Sequence, residues 1–404
     1  MYRTITTRSV ALLALLLISM AIYGQNSKPK APQFGKGISY MAKDSTFSTK
    51  FNLRIQSLYV ATYDQTEEND DDAWSSQFLV RRFRLKWGGI ALTPKLKYKV
   101  ELGMSNRDIS TSSEDGNTKG GARVILDAVL KWQFAKNWNL WVGQTKLPGN
   151  RERVISSGSL QFVDRSLVNS RFTLDRDAGI QLRGKLPIGQ TAYIAPSLAI
   201  TMGEGRNITS DNQGGYDYTV HVDILPFGKF AKKGDYFGAD LAREQTPKLA
   251  FGLTFDYNDG AVRQGGQLKA FVRDSAGIYA ENDLTSFMAD MVFKYKGWSV
   301  TSTYINKSAA KDMEGLSKNF NTGSGFNIAT GYLFNNNVEL ALRYTTIRND
   351  GDFSGLKDEN EITLGLSKYV VGHKLKVQTD IAHIAAPGES EGNIRFRAQV
   401  EMQF

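Results

Sequence analysis

The sequence predicts an all-β protein, a transmembrane antiparallel β-barrel of about sixteen strands whose third loop folds inward. Three observations predict it. First, the last twelve residues alternate without a break: Ile394, Phe396, Ala398, Val400, Met402 and Phe404 share one parity, and Arg395, Arg397, Gln399, Glu401 and Gln403 share the other. Successive strand side chains point to opposite faces, so this segment has one oily and one wet face. Second, the same alternation recurs along most of the chain, in segments separated by alternately short and long connections. Third, no stretch beyond the amino terminus approaches the roughly 18 apolar residues of a transmembrane helix. A mean hydropathy of −0.34 and 41% hydrophobic residues look water-soluble, but a barrel places its lipid face at every second residue and keeps a polar average.

The elements follow in order. Arg3 and Arg8 precede an apolar run from Val10 to Met20, and Ile22-Tyr23-Gly24 offers a cleavage site before Gln25; residues 1–24 read as a signal peptide. No cysteine is present, so neither a lipid-anchored cysteine nor a disulfide is expected. Residues 25–46, rich in Lys, Pro and Gly, read as a periplasmic lead-in, and 47–404 as the barrel domain. Alternation places strands at 47–63, 77–90, 95–104, 122–134, 138–145, 177–186, 191–203, 216–226, 248–258, 284–295, 298–309, 324–334, 338–348, 359–369, 373–384 and 393–404. Short connections such as Lys296–Gly297 alternate with long ones such as 105–121, 146–176 and 259–283. Short periplasmic turns and long outer loops characterise outer-membrane barrels. The connection 227–247, with Pro226, Lys229, Lys232 and Lys233 in or beside it, is too long for this rhythm.

Parity then assigns faces. Val124, Leu126, Ala128, Leu130, Trp132 and Phe134 are expected toward lipid, with Arg123, Asp127, Lys131 and Gln133 inward. Leu249, Phe251, Leu253, Phe255 and Tyr257 point out from 248–258. Phe326, Ile328, Tyr332 and Phe334 point out from 324–334, whose inward side carries Asn327 and several glycines. Around the closure seam the inward parity holds Arg54, Arg82, Arg84, Lys86, Lys97, Lys99, Lys374, Lys376, Arg395 and Arg397, against Glu101, Asp380 and Glu401. The net charge of +9, or +7 without Arg3 and Arg8, has the same sign. A basic wall focuses anions.

The connection 146–176 is too long for a plain hairpin, and such loops are usually functional or disordered. The stretch Arg151–Gly179 within and after it carries Arg151, Arg153, Arg165, Arg171 and Arg176 against Glu152, Asp164, Asp175 and Asp177, and is slightly basic. Its Leu160, Phe162, Leu167 and Val168 would be costly to expose, so it is expected to fold into the barrel. Arg54, Arg82, Arg84, Lys86, Arg151, Arg153, Arg165, Arg395 and Arg397 are the candidate anion path. Arginine in particular grips phosphate or carboxylate through paired hydrogen bonds. A hydrolytic site has little support. Of three histidines, His221 lies on the inward parity beside Asp217 and Asp223, His373 sits in a turn and His383 falls on the lipid parity. Neither G-x-S-x-G nor H-E-x-x-H occurs. No catalytic residue, metal ligand or cofactor is expected, and no nucleic-acid partner.

RRFRLKWGG at Arg81–Gly89 with the following TPKLKYKVELG, the lead into the first strand from Ile38 to Gln56, and VGQTKLPGNRERVISSGSLQFVDRSLVN at Val142–Asn169 resemble the phosphate-selective porin O and P family. The ending on Phe404 resembles the assembly signal of outer-membrane barrels. The resemblance implies a sixteen-stranded homotrimeric barrel in a Gram-negative outer membrane, in contact with lipid and lipopolysaccharide. It also implies an anion-preferring diffusion channel for small anions such as phosphate or polyphosphate, with Arg151, Arg153 and Arg165 on the constriction loop. A general non-specific diffusion porin and, further off, an outer-membrane barrel enzyme are the alternative readings.

Overall fold

The computed structural model describes residues 33–67, 73–105, 108, 124–208 and 212–404. The expected signal peptide at 1–24, the first part of the lead-in, Arg123 and the middle of the connection 105–121 lie outside the described residues. The strands are β1 (Ile38–Met41), β2 (Ser48–Asp64), β3 (Trp74–Ala91), β4 (Thr93–Gly103), β5 (Ile125–Ala135), β6 (Trp138–Lys146), β7 (Arg176–Gly184), β8 (Leu186–Ile188) and β9 (Ala192–Thr201) in the first half. The second half holds β10 (Asp217–Leu225), β11 (Lys248–Ala261), β12 (Asn282–Tyr295), β13 (Trp298–Ala309), β14 (Gly323–Leu333), β15 (Val338–Asn349), β16 (Glu359–Tyr369), β17 (Leu375–Ala385) and β18 (Asn393–Gln403).

Sixteen of these close into one antiparallel ring. β2 to β7 pair in sequence, β7 pairs with β9, and β9 to β18 pair in sequence. β18 returns to β2, with Asn393 opposite Asp64 and Gln403 opposite Arg54. All sixteen ranges expected from alternation correspond to ring strands. β1 and β8 are short additions, β1 lying on the start of β2 and β8 on the start of β9. Closure pairs each of the sixteen ring strands on both sides among the described residues, which a strand in hydrocarbon requires.

The burial pattern is that of a soluble protein turned inside out. Along β16, Glu361, Thr363 and Ser367 are buried, while Ile362, Leu364 and Leu366 are each about half exposed. The outward residues expected on β11 and β14, among them Phe251, Leu253, Phe255, Phe326 and Ile328, are exposed on the lipid face. One assignment is corrected. Leu126 faces inward and is 3% exposed, because a bulge opposite Glu101 and Leu102 shifts parity at the start of β5. Ile125 takes the outward place.

The apolar core sits inside the ring, where the connection between β6 and β7 folds back against the wall. Leu147, Leu167, Val168, Phe172 and Leu174 pack on Met288, Ile305 and Ile347 of β12, β13 and β15. Inward glycines, on 324–334 as expected and also on β16, are seats for this loop. A Cβ on Gly325 of β14 would come within 2.9 Å of Val168, and one on Gly365 of β16 within 2.9 Å of Phe162.

The overlong connection 227–247 folds inward at the short-turn end. Its Tyr236 hydroxyl donates to Asp223 at 2.9 Å. The buried Lys294 ammonium of β12 donates to the carbonyls of Gly234, Phe237 and Ala239. Gly238 N–H donates to Ser159 O at 2.6 Å, so this segment meets the inward loop from below. Filling a lumen sector, not spanning a hairpin, sets its length.

Replacing Gly365 with Val should drive Phe162 from its seat, at about 1–3 kcal/mol for an overpacked site. The expected outcome is an intact ring with a loosened loop. Limited proteolysis within 147–175 should quicken and single-channel conductance should rise. Unchanged conductance and cleavage would contradict the seating role.

Candidate functional site

The inward loop holds its shape through its own polar groups. It contains helices α1 (Arg151–Val154) and α2 (Leu167–Phe172), with a 3₁₀ turn at Ser157–Ser159 between them. Ser166 caps α2, its hydroxyl accepting from Asn169 N–H at 3.2 Å. The Glu152 carboxylate accepts from Ser166 N–H at 2.8 Å and from its hydroxyl at 2.6 Å, tying the two helices together.

The loop is then pinned around the wall. Arg151 is buried between Asp223 of β10 and Asp290 of β12, with Nε 2.9 Å from Asp290. Gln161 donates to Glu339 of β15 at 2.7 Å and to Ser299 of β13 at 2.9 Å. Val163 N–H donates to Asp380 of β17 at 3.1 Å. Arg54 of β2 reaches Ser157 Oγ at 2.8 Å. Asp164, near the far end of the loop, binds both Arg81 and Arg82 of β3, the latter at 3.2 Å. Burial works against the Asp164 charge, but Arg82 and Arg81 hold its carboxyl well below the usual carboxylate range.

With the β10–β17 side filled, open space remains against β3 to β7 and β18. This cavity has a volume of about 830 Å³ and is lined by sixteen basic and five acidic side chains. Every one of the five acids is shared between two cations. Glu101 lies 3.2 Å from Lys86 and 3.1 Å from Lys99. Asp127 lies 2.8 Å from Lys99 and 3.3 Å from Arg176. Asp164 joins Arg81 and Arg82, Asp175 joins Arg153 and Arg176, and Asp108 joins Arg84 and Arg206. The carboxylates fix the fan of cations without cancelling it. At the outer end, Lys269 projects from the loop between β11 and β12, where burial and the nearby charges of Arg171 and Lys307 lower its pKa to about 8.

Of the nine candidate residues, Arg82, Arg84, Lys86, Arg153, Arg165, Arg395 and Arg397 line this cavity. Arg165 does so while donating to the carbonyls of Glu152 and Ile155, at 2.8 and 2.7 Å. Arg54 and Arg151 do not line it; both are spent on holding the loop. Lys99 and Lys131, expected inward, and Arg171 and Arg176, expected at the inward loop, line it as well. A bulge between Gln56 and Ser57 turns Arg81 inward beside Arg82, and no sequence signal marks that bulge. Arg183, by contrast, alternates with Ile180 and Leu182 on β7, so its inward place was readable. His221 contacts Asp223 at 3.4 Å and Thr254 at 2.8 Å, but Asp223 is already held by Arg151 and Tyr236.

A closed sixteen-stranded barrel with polar groups inside, apolar groups outside and an inward loop narrowing the lumen is an outer-membrane porin, a channel rather than an enzyme. The chain belongs to the phosphate-selective porin O and P family, whose sequence profile matches residues 50–262, more than half its length. It is 22% identical over 355 residues to an uncharacterized protein of Aquifex aeolicus, covering 84% of this chain and 83% of that one. Its fold is similar to the anion-selective porin from Comamonas acidovorans, with a TM-score of 0.52, 10% identity, and 88% and 99% of the two chains covered. It is also similar to the trimer form of Vibrio cholerae OmpT, with a TM-score of 0.52, 10% identity and the same coverage. The outer membrane channel DcaP of Acinetobacter baumannii gives a TM-score of 0.51 at 11% identity, with 90% and 99% covered.

Arg151→Gln should leave Asp223 and Asp290 buried without their partner, a loss of about 3–5 kcal/mol for a broken buried pair. Proteolysis within 147–175 should accelerate while the ring stays folded. A loop as resistant as the wild type would show that this pair does not anchor it.

Proposed function

We propose that the channel prefers anions and admits phosphate-type oxyanions through the cavity beside β3 to β7 and β18. One observation carries this reading: the lining holds sixteen cations, and its five acids are each already shared between two of them. A cluster of one sign in a low-dielectric cleft raises the local concentration of counter-ions. Guanidinium groups also match the oxygens of phosphate through paired hydrogen bonds. Arg82, Arg84, Lys86, Arg153, Arg165, Arg395 and Arg397 are the residues to which the path is assigned. Arg54 and Arg151 support it through the loop. The family name, and the anion-selective porin among the similar folds, agree with this reading.

The mature channel begins after Gly24, the first 24 residues being removed as a signal peptide. It assembles as a homotrimer among outer-membrane lipid and lipopolysaccharide; the trimer form of one similar fold supports the assembly.

Reversal potentials across a salt gradient test the selectivity. The wild type should favour chloride over potassium. Replacing Arg82 and Arg84 together with Glu should lower that preference by about tenfold at low salt, where screening is weak, and by less at 1 M. The barrel should survive, because lumen substitutions tune selectivity without disturbing the lipid face. A wild-type channel indifferent to charge, or selective for cations, would leave the general diffusion porin as the reading.

A further inference from the structure

The five lining carboxylates hold eight of the cations lining the cavity, in its outer and middle parts. Toward the short-turn end, two of its cations rest on an aromatic ring instead. Trp141 of β6 points into the cavity three residues from its strand's start. Lys131 stands directly opposite it on β5, with its ammonium 3.5 Å from the ring centroid. Arg183 approaches from β7 on the other flank, its guanidinium carbon 4.3 Å from the centroid. Neither cation has a carboxylate within ion-pair distance among the described residues. One residue into β9, Tyr193 repeats the arrangement, with the ammonium of Lys229 at 4.2 Å and that of Lys185 at 6.0 Å.

The two modes of holding have opposite electrostatic consequences. A carboxylate fixes a cation and subtracts a unit charge from the site. An indole ring fixes it through its quadrupole and subtracts none, with an attraction of about 0.5–2 kcal/mol depending on exposure. Lys131 and Arg183 therefore stand at a set spacing with no carboxylate paired to either among the described residues. No resident acid competes with an arriving anion for their hydrogen-bond donors. Arg183 directs Nε and one terminal nitrogen onto Gln181 at 3.0 and 2.7 Å, so the guanidinium is oriented as well as placed.

We propose that Lys131 and Arg183 form a second oxyanion subsite at the short-turn end of the passage, with Trp141 as the residue that positions both. Its ligand class is a phosphate-type oxyanion, multiply charged and carrying several acceptor oxygens. This proposal deepens the anion-channel reading above and rests on it. The subsite is separate from the Arg81, Arg82 and Asp164 cluster. That cluster is self-paired and constricts the passage, while this one is unpaired and retains the solute.

Chloride currents through the full-length protein in a planar bilayer, titrated with inorganic phosphate, provide the test. Phosphate should block the wild-type chloride current. Trp141→Leu and the double variant Lys131→Met with Arg183→Met should each raise the half-blocking concentration by about threefold to tenfold, the range cation–π energies imply. Trp141→Phe, which keeps a ring, should recover part of that loss, and the differences should shrink at high salt. A merely structural role for Trp141 would give neither the ring-dependent recovery nor the salt dependence. An anion-selective wild type whose phosphate block is absent, or unchanged in the double variant, would overturn the subsite while leaving the channel reading intact. A wild type without anion preference would overturn that reading and the subsite with it.

Discussion

A backbone amide in hydrocarbon has no water to bond, and every other feature of this protein follows from that constraint. Each unpaired N–H or C=O would cost several kcal/mol, so the strands pair all the way round until β18 meets β2. Closure then divides the side chains by parity. Half of them must be apolar and face lipid, and the other half enclose a lumen where charge is tolerated. The basic composition has nowhere else in the membrane to go.

An interior of this width needs filling as well as lining. Two connections fold into it from opposite ends, and their meeting at Ser159 and Gly238 closes off the sector beside β10 to β17. Burying the loop's Leu, Val and Phe side chains against Met288, Ile305 and Ile347 supplies the apolar drive. The wall is cut back to glycine where those side chains seat. Ion pairs then fix the position. Arg151 between two aspartates and Asp164 between two arginines anchor different parts of the loop, and removing either partner would leave a charge unpaired inside the barrel. The result is a passage displaced to one side, along the strands richest in inward cations.

Charge in that passage is arranged, not merely accumulated. A row of bare cations would repel itself and splay apart. Five acids, each placed between two cations, hold half of the array together and still leave it positive. Near the short turns the ring faces of Trp141 and Tyr193 hold cations without adding a counter-charge. The cost of concentrating like charges is thus met locally, by whichever partner each depth of the barrel supplies.

Sequence by itself determined the strands, their order, the closure and most of the faces. These follow from a two-residue period that is local and that lipid enforces at every position. It also showed the inward loop, through apolar residues that had no place in an exposed hairpin. Of the seven candidate residues on the cavity, Arg82, Arg84, Lys86, Arg395 and Arg397 fell there for the same reason, since inward parity is a local property, while Arg153 and Arg165 came with the loop. Which inward cations line the cavity is not local. Arg54 and Arg151 share the chemistry of Arg82 and Arg165, yet they stand outside it, Arg54 on Ser157 and Arg151 between Asp223 and Asp290, because the loop crosses the lumen at their level. Bulges at Gln56 and Glu101 moved Arg81 and Leu126 to the other face, since one extra residue in a ladder inverts the parity that follows it. The 227–247 segment gave no readable signal, because its fit depends on contacts with β12, β14, β16 and the inward loop, which only the closed barrel brings together.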